Sequence, residues 1–196
     1  MKKLEARTHI LLGKELYNYF LLEENIKLSK FWLSLGSVKP DFTNDEINHY
    51  KDESIKLFFE KFSKLHNLDP EKNRNKFSLK LGELYHYIAD FFCYAHNNQK
   101  MKENYSKHFK YELSLNSYAY KKRQSLFKTN KHNYYIYDFS LKYLLNLKHQ
   151  KYLKEKKSFA TDIKFAFEFN KILTKKIFFN INYEGKELTS RFNIAK

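Results

Sequence analysis

The sequence predicts an all-α fold, a bundle of helices in a single domain spanning residues 1–196. Only four glycines and two prolines are present in this length of chain. Sandwiches and barrels need many turns, and Rossmann folds need glycine-rich loops, so both classes are disfavoured. Apolar residues recur every three or four positions through most of the chain, which is the period of an amphipathic helix. A single cysteine, Cys93, excludes a disulfide scaffold and a cysteine-rich zinc module.

The helices follow from this periodicity, and a few residues mark their ends. Apolar spacing predicts helices over residues 8–24, 26–35, 53–66, 77–97, 101–118, 133–153 and 158–178. Gly36 ends the second helix, and Pro40 disfavours helix in the segment that follows. The pattern Thr43-x-x-Glu46 has the form of a capping box and is expected to start a helix. Gly185 predicts a turn, with an irregular or short extended end after it.

The net charge of +15 is distributed unevenly along the chain. Residues 1–100 carry 16 Lys and Arg against 14 Asp and Glu, whereas residues 101–196 carry 21 against 8. The second half, at +13, would attract phosphates of an anionic membrane surface or of nucleic acid, and a solvated lysine-rich face is the alternative. The sequence shows neither a secretory signal nor an apolar run of 18 residues, so a cytoplasmic location is expected.

Pairs of histidine and carboxylate at helical spacing are the chemically informative feature. His86 and Asp90 are four residues apart, which puts both side chains on one face of a helix. His108 and Glu112 repeat that spacing on the next predicted helix. His96 lies ten residues after His86, a rotation of about 280°, and is expected near the same side of the same helix. A buried carboxylate among apolar residues is costly unless it is paired, and a bound cation would offset that cost.

Three further residues complete the candidate metal set. His9 begins the first helix, Asp41 follows Pro40, and His49 lies eight residues after Asp41. The candidate ligands are therefore five histidines and three carboxylates: His9, Asp41, His49, His86, Asp90, His96, His108 and Glu112. Eight ligands are too many for one tetrahedral ion and enough for two or three. The remaining histidines have no carboxylate at the helical spacing and are expected at the surface: His66, His132 and His149.

The spacing His86-x3-Asp90-x5-His96-x11-His108-x3-Glu112, with His, Asp and His upstream, resembles the bacterial zinc-dependent phospholipases C. It is also similar to the single-strand-specific zinc nucleases that share their all-helical fold. The segments 8–13 and 36–41 look like the corresponding parts of the phospholipase branch. The resemblance covers roughly residues 7–118, the metal-site core, and helices at about 120–180 match only as additional helices of the bundle.

The resemblance implies three clustered zinc ions. The first would be held by Asp41, His49, His86 and Asp90, the second by His9 with Asp90 as a bridge, and the third by His96, His108 and Glu112. Secreted members of the family chelate the second metal with an N-terminal tryptophan. This sequence begins Met1-Lys2-Lys3 and has no tryptophan before Trp32, so the second site is expected to retain His9 and Asp90 without that chelating terminus.

The implied activity is hydrolysis of a phospholipid-like phosphodiester by a water activated at the metal cluster. Asp90 would bridge two ions, and Asp41 would act as a proton acceptor. Two alternatives stay open: a nuclease or nucleotidase on the same cluster, and a non-catalytic basic binding module whose metals are structural. A histidine-aspartate metal phosphohydrolase is disfavoured, because no His-Asp dipeptide occurs.

Overall fold

The computed structural model describes residues 6–43, 50–127 and 139–192, the last thirteen of them as backbone only. Within these ranges every regular element is helical, which confirms the all-α prediction. The helices are α1 (Ala6–Glu23), α2 (Lys30–Gly36), α3 (Lys51–His66), α4 (Arg74–Phe91), α5 (Gln99–Lys102), α6 (Tyr105–Lys121), α7 (Arg123–Leu126), α8 (Leu141–Lys154) and α9 (Phe159–Phe192). Short 3-10 helices occur at Lys39–Phe42 and Tyr94–Asn97. None of the helices in the described ranges is both long and apolar enough to cross a membrane.

Helix α4 is the centre of the bundle. Every residue from Leu81 to Phe91 is buried, and α1, α2, α3 and α9 all pack against this helix. A helix that is buried on all sides does not need a polar face, which explains its dense run of aromatic and aliphatic residues. The few polar side chains within it, including Glu83, His86 and Asp90, must therefore find partners inside the protein.

Helix α2 lies directly on α4 because glycines meet at the crossing point. A Cβ on Gly82 would collide with the carbonyl oxygen of Leu33, and one on Gly36 would collide with the carbonyl oxygen of Leu79. Only glycine allows the two backbones to approach this closely. The crossing fixes the position of the 3-10 helix that follows α2, and this short helix carries Asp41.

The helix predicted over 77–97 ends earlier, at Phe91. Cys93 has an extended backbone (φ −105°, ψ 128°), and the chain continues as the 3-10 helix Tyr94–Asn97. The helix predicted over 101–118 is divided into α5 and α6, because the side chain of Asn104 caps a new start by accepting a hydrogen bond from the N–H of Lys107. His96 is therefore not on α4 at all, which corrects its predicted placement.

The C-terminal prediction was also wrong. The backbone of α9 continues through Gly185 to Phe192, where a turn and an irregular end were expected. A glycine inside a helix costs only about 1 kcal/mol relative to alanine, which a long helix tolerates. At the other predicted signal, Thr43 is extended and donates its hydroxyl to the carbonyl of Pro40, whereas Glu46 lies outside the described residues.

Candidate metal centre

His86 is the most deeply placed of the candidate ligands. Its side chain is fully buried in the middle of α4, and its Nδ1 lies 3.1 Å from the carbonyl oxygen of Ser37. Because a carbonyl can only accept, Nδ1 carries a proton, which leaves Nε2 as the nitrogen that would bind a metal ion once its own proton is displaced. That Nε2 faces two carboxylates, with Asp90 Oδ2 at 3.1 Å and Asp41 Oδ1 at 3.6 Å. The helical spacing and the loop after α2 thus bring these three residues together as predicted.

His9 joins this group from α1. Its Nε2 lies 3.4 Å from Asp90 Oδ1, and its ring centroid lies 4.3 Å from that of His86. Ligand atoms of His9, His86 and Asp90 lie within 4.8 Å of one another, as a shared ion would require. Among the described residues, the buried Nδ1 of His9 has no hydrogen-bond partner.

A second group lies beside the first and shares Asp90 with it. His96 Nε2 and His108 Nε2 both lie 3.0 Å from the same carboxylate oxygen of Glu112, Oε1. His96 Nε2 also lies 3.8 Å from Asp90 Oδ1. The structure therefore brings together seven of the eight predicted ligands: His9, Asp41, His86, Asp90, His96, His108 and Glu112. The eighth, His49, lies outside the described residues.

The turn after α4 is what directs His96 back toward Asp90 and Glu112. Asn97 holds this turn, since its Nδ2 donates to the carbonyls of Phe91 (3.0 Å) and Cys93 (2.8 Å). The Oδ1 of Asn97 accepts from His149 Nε2 at 2.9 Å, which connects the turn to α8. From α9, Asp162 accepts the backbone N–H of Tyr94 at 2.9 Å. Hydrogen bonds to residues of α4, α8 and α9 therefore fix the turn that carries His96.

Burial and charge shift the titration of these groups in opposite directions. Burial lowers the pKa of His86, but the charge of Asp90 and its hydrogen bond outweigh burial and raise that pKa to about 9. Burial raises the pKa of Glu112, but hydrogen bonds from His108 and His96 outweigh it and hold that pKa at about 2. Burial and the neighbouring His86 lower the pKa of His9. When no metal ion is bound, protons on histidine therefore supply part of the positive charge that balances the carboxylates.

The donor set fits divalent zinc. Imidazole nitrogens and carboxylate oxygens are its usual ligands, and the Ser37 carbonyl is the kind of outer partner that orients a ligating histidine. A cavity of about 30 Å³, the size of a water or an ion, is lined by His9, Asp90 and Glu112 among others. Within the part of the chain that the structure describes, the buried Nδ1 atom of His9 has no hydrogen-bond partner, and His9 is one of the residues that line this cavity.

The structure corrects the predicted position of one histidine and adds one cysteine to the residues near the site. His149, expected at the surface, is 7% exposed, because its hydrogen bond to Asn97 lets it replace water with a protein partner. The ligand set predicted from the sequence does not include Cys93, yet its sulfur lies within 4.8 Å of ligand atoms of His96 and Glu112. The spacing Cys93-x2-His96 was the available signal. His66 is half-buried against Phe62, and His132 lies outside the described residues.

Comparison with protein families agrees with this geometry. The model of the family described as zinc dependent phospholipase C matches residues 8–159. The chain belongs to this family. The match to the zinc-dependent phospholipase C family runs from α1 to the first residue of α9, and so extends beyond residue 118 to include α8. No significant match was found among curated proteins or among solved structures.

Proposed function

We propose that this chain is a metal-dependent phosphodiesterase that hydrolyses a phospholipid-like substrate. The observation that supports this most strongly is the position of Asp90. Its Oδ2 lies 3.1 Å from His86, and its Oδ1 lies 3.4 Å from His9 and 3.8 Å from His96. One carboxylate between two groups of imidazoles is the arrangement expected of a bridging ligand in a site with two or more metals.

The proposed ligands follow the family pattern. Asp41, His86 and Asp90, with His49, would hold the first zinc ion; His9 and Asp90 would contribute to the second; His96, His108 and Glu112 would hold the third. Zinc bound in such a cluster lowers the pKa of water toward neutrality and neutralises phosphoryl oxygens. The number of ions, two or three, is part of the proposal.

The residues of the chain prepare this site before any ion arrives. The Ser37 carbonyl sets the tautomer of His86, and the clamped turn at Asn97 orients His96. The Asp41 side chain reaches the solvent edge, since it is 17% exposed, close to the 15% of Glu112 and well above the 4% of Asp90. A carboxylate that reaches the solvent edge can accept a proton and pass it to bulk water, which is the catalytic role we propose for Asp41.

The substrate class rests on the family and on charge. The zinc-dependent phospholipase C family favours a phospholipid head group over nucleic acid, and the net charge of +13 on residues 101–196 suits an anionic membrane surface. At the edge of the metal centre, the ring of Tyr50 lies 5.5 Å from that of His96 and carries the Lys102 ammonium 3.8 Å above it. Such a cation is well placed to attract a phosphate. The cytoplasmic location stays a prediction from the sequence.

The test combines metal analysis with two substrate assays. The purified chain should contain two to three equivalents of zinc and release head groups from phosphatidylcholine vesicles. Asp90→Asn should abolish hydrolysis while the protein stays folded by circular dichroism. Asp69→Asn is the matched control, because Asp69 lies in a loop and its capping oxygen is retained by asparagine.

The other outcomes are equally informative. A folded protein without metal, or an Asp90→Asn variant with wild-type turnover, would contradict the proposal. Hydrolysis of single-stranded DNA without hydrolysis of lipid would replace the substrate class with nucleic acid. Bound zinc without hydrolysis of either substrate would indicate a binding module with structural metals.

A further inference from the structure

Cys93 occupies a position that none of the three implied ligand sets includes. It is 5% exposed, and its sulfur, an imidazole nitrogen of His96 and a carboxylate oxygen of Glu112 all lie within 4.8 Å of one another. Zinc–sulfur and zinc–nitrogen bonds of about 2.3 and 2.1 Å place the ligand atoms of one ion roughly 3.5 Å apart. Small side-chain adjustments are therefore enough for these three residues to share one ion.

The local backbone presents the sulfur as a ligand. Cys93 and His96 are separated by two residues and lie on one turn, closed by the hydrogen bond from His96 N to the Cys93 carbonyl at 3.1 Å. The backbone N–H of Ala95 donates to the Cys93 sulfur. Burial and the nearby carboxylates of Asp162, Glu112 and Asp90 outweigh this hydrogen bond and raise the pKa of the thiol, so the thiolate forms only as a metal ion displaces the proton.

The surroundings also favour a cation. Cys93 lines the same cavity of about 30 Å³ as Asp90, Glu112 and Asp162. Asp162 is held in place on the far side by Tyr111 and Tyr152, whose hydroxyls donate to it at 2.7 and 2.8 Å. Three acidic groups around so small a volume make a strongly negative environment for a divalent ion to enter.

We propose that Cys93 is a thiolate ligand of the zinc ion held by His96 and Glu112. As the sulfur–zinc bond forms, the thiol gives its proton to solvent. His108, whose Nε2 lies 3.0 Å from the same Glu112 oxygen, adjoins these three ligands but is not part of the group whose atoms all lie within 4.8 Å of one another. The inference rests on the proposed zinc cluster and refines one part of it.

The sequence makes a clean test possible, because Cys93 is its only cysteine. X-ray absorption at the zinc edge of the purified, zinc-loaded chain should show a sulfur neighbour at about 2.3 Å. Cobalt substitution should add a sulfur-to-metal charge-transfer band in the near ultraviolet. Both signals should disappear in Cys93→Ser and in Cys93→Ala, and both should persist in Met101→Leu, which removes a thioether sulfur instead. The affinity for one zinc equivalent should fall by more than about 100-fold in the cysteine variants, since loss of an outer partner alone costs roughly 10- to 100-fold.

The results separate this inference from the proposed function. Zinc bound by nitrogen and oxygen alone in an active wild-type protein would overturn the role of Cys93 and leave the phosphodiesterase intact. A sulfur neighbour in a protein without hydrolase activity would support Cys93 as a ligand and contradict the function. Absence of bound zinc from the wild-type protein would overturn both.

Discussion

The backbones of Gly36 and Gly82 touch where α2 crosses α4, and each occupies the space that a Cβ on the other would need. A Cβ on Gly82 would lie 2.9 Å from the Gly36 Cα and 2.8 Å from the Ser37 nitrogen. Ser37 is also the residue whose carbonyl orients His86. The packing of two helices and the tautomer of a candidate ligand thus depend on one contact between glycines.

We expect Gly82→Ala to destabilise the fold by roughly 3 kcal/mol, because the added methyl group meets backbone atoms that cannot move aside independently. Urea unfolding measures this loss. Gly13→Ala is the control, since its Cβ would come close to the side-chain oxygen of Ser37 but make only ordinary contact with backbone atoms, and alanine also favours helix. Equal stability of the two variants would show that α2 can shift on α4.

Asn97 should matter for both stability and metal content. We expect Asn97→Ala to cost about 2–3 kcal/mol, because it removes donors to Phe91 and Cys93 and the acceptor for His149. We also expect it to lower zinc content by one equivalent, since the turn orients His96. Gln99→Ala, at an exposed position two residues further on, should leave both quantities unchanged. Normal zinc content in Asn97→Ala would mean that the turn keeps its shape without this amide.

Because of His149, we expect the stability of the protein to fall as the pH is lowered. Burial and the charge of Lys51 lower the pKa of His149 to about 4. As pH falls, the unfolded chain therefore takes up a proton on His149 before the folded protein does. The stability due to the neutral ring is fully present above pH 6.5 and is lost as the pH falls through 4. We expect a loss of roughly 2–3 kcal/mol over this range of pH.

The measurement compares urea unfolding of metal-free wild type and His149→Gln between pH 7 and pH 4. Glutamine can still donate to Asn97 but does not titrate, so the difference between the two proteins isolates the histidine. The comparison is needed because burial raises the pKa of Asp162 to about 6, and this group changes stability in the opposite direction over the same range. Parallel pH profiles for the two proteins would contradict the assignment.

Glu83 is expected to hold the segment that carries Asp41. It is 1% exposed and accepts from three lysines: Lys39 at 2.8 Å, Lys80 at 3.0 Å and Lys61 at 3.2 Å. Burial alone would raise its pKa, but the hydrogen bonds from Lys39 and Lys80 outweigh burial and lower it. Lys39 lies two residues before Asp41 in the short 3-10 helix.

We expect Glu83→Gln to destabilise the protein by about 2 kcal/mol, less than for a fully buried ion pair because the lysine ammonium groups reach solvent. It should also weaken binding of the zinc ion nearest Asp41, which calorimetric titration of zinc into the metal-free protein would measure. Glu71→Gln, at an exposed position, serves as the control. Unchanged zinc binding in Glu83→Gln would show that Asp41 is positioned by other contacts.

Local patterns predicted the helical elements and the paired ligands, because these depend on residues close in sequence. His86 and Asp90, and likewise His108 and Glu112, are brought together by one helical turn alone. His9 and Asp41 were candidates from the sequence, but no local pattern places them beside Asp90 and His86, because that place depends on the packing of α1 and of the loop after α2.

The turn after Phe91 was not predictable in the same way. No glycine or proline marks it, and its shape depends on hydrogen bonds from Asn97 and on Asp162, which lies 68 residues after its partner Tyr94. The sequence therefore predicted an unbroken helix here. That prediction gave no indication that Cys93 lies close to Glu112. Likewise, His149 gave no local sign of burial, because its partner lies on a different element.

The acceptor that orients His86 belongs to the main chain, and this has an evolutionary consequence. A carbonyl group is present whichever side chain stands at position 37, so drift at that position can leave the imidazole aligned for its ion. The orientation of the His86 ring depends on the path of the backbone at Ser37. A substitution at position 37 that fits the buried space beside Gly13 would therefore leave the acceptor for the imidazole in place.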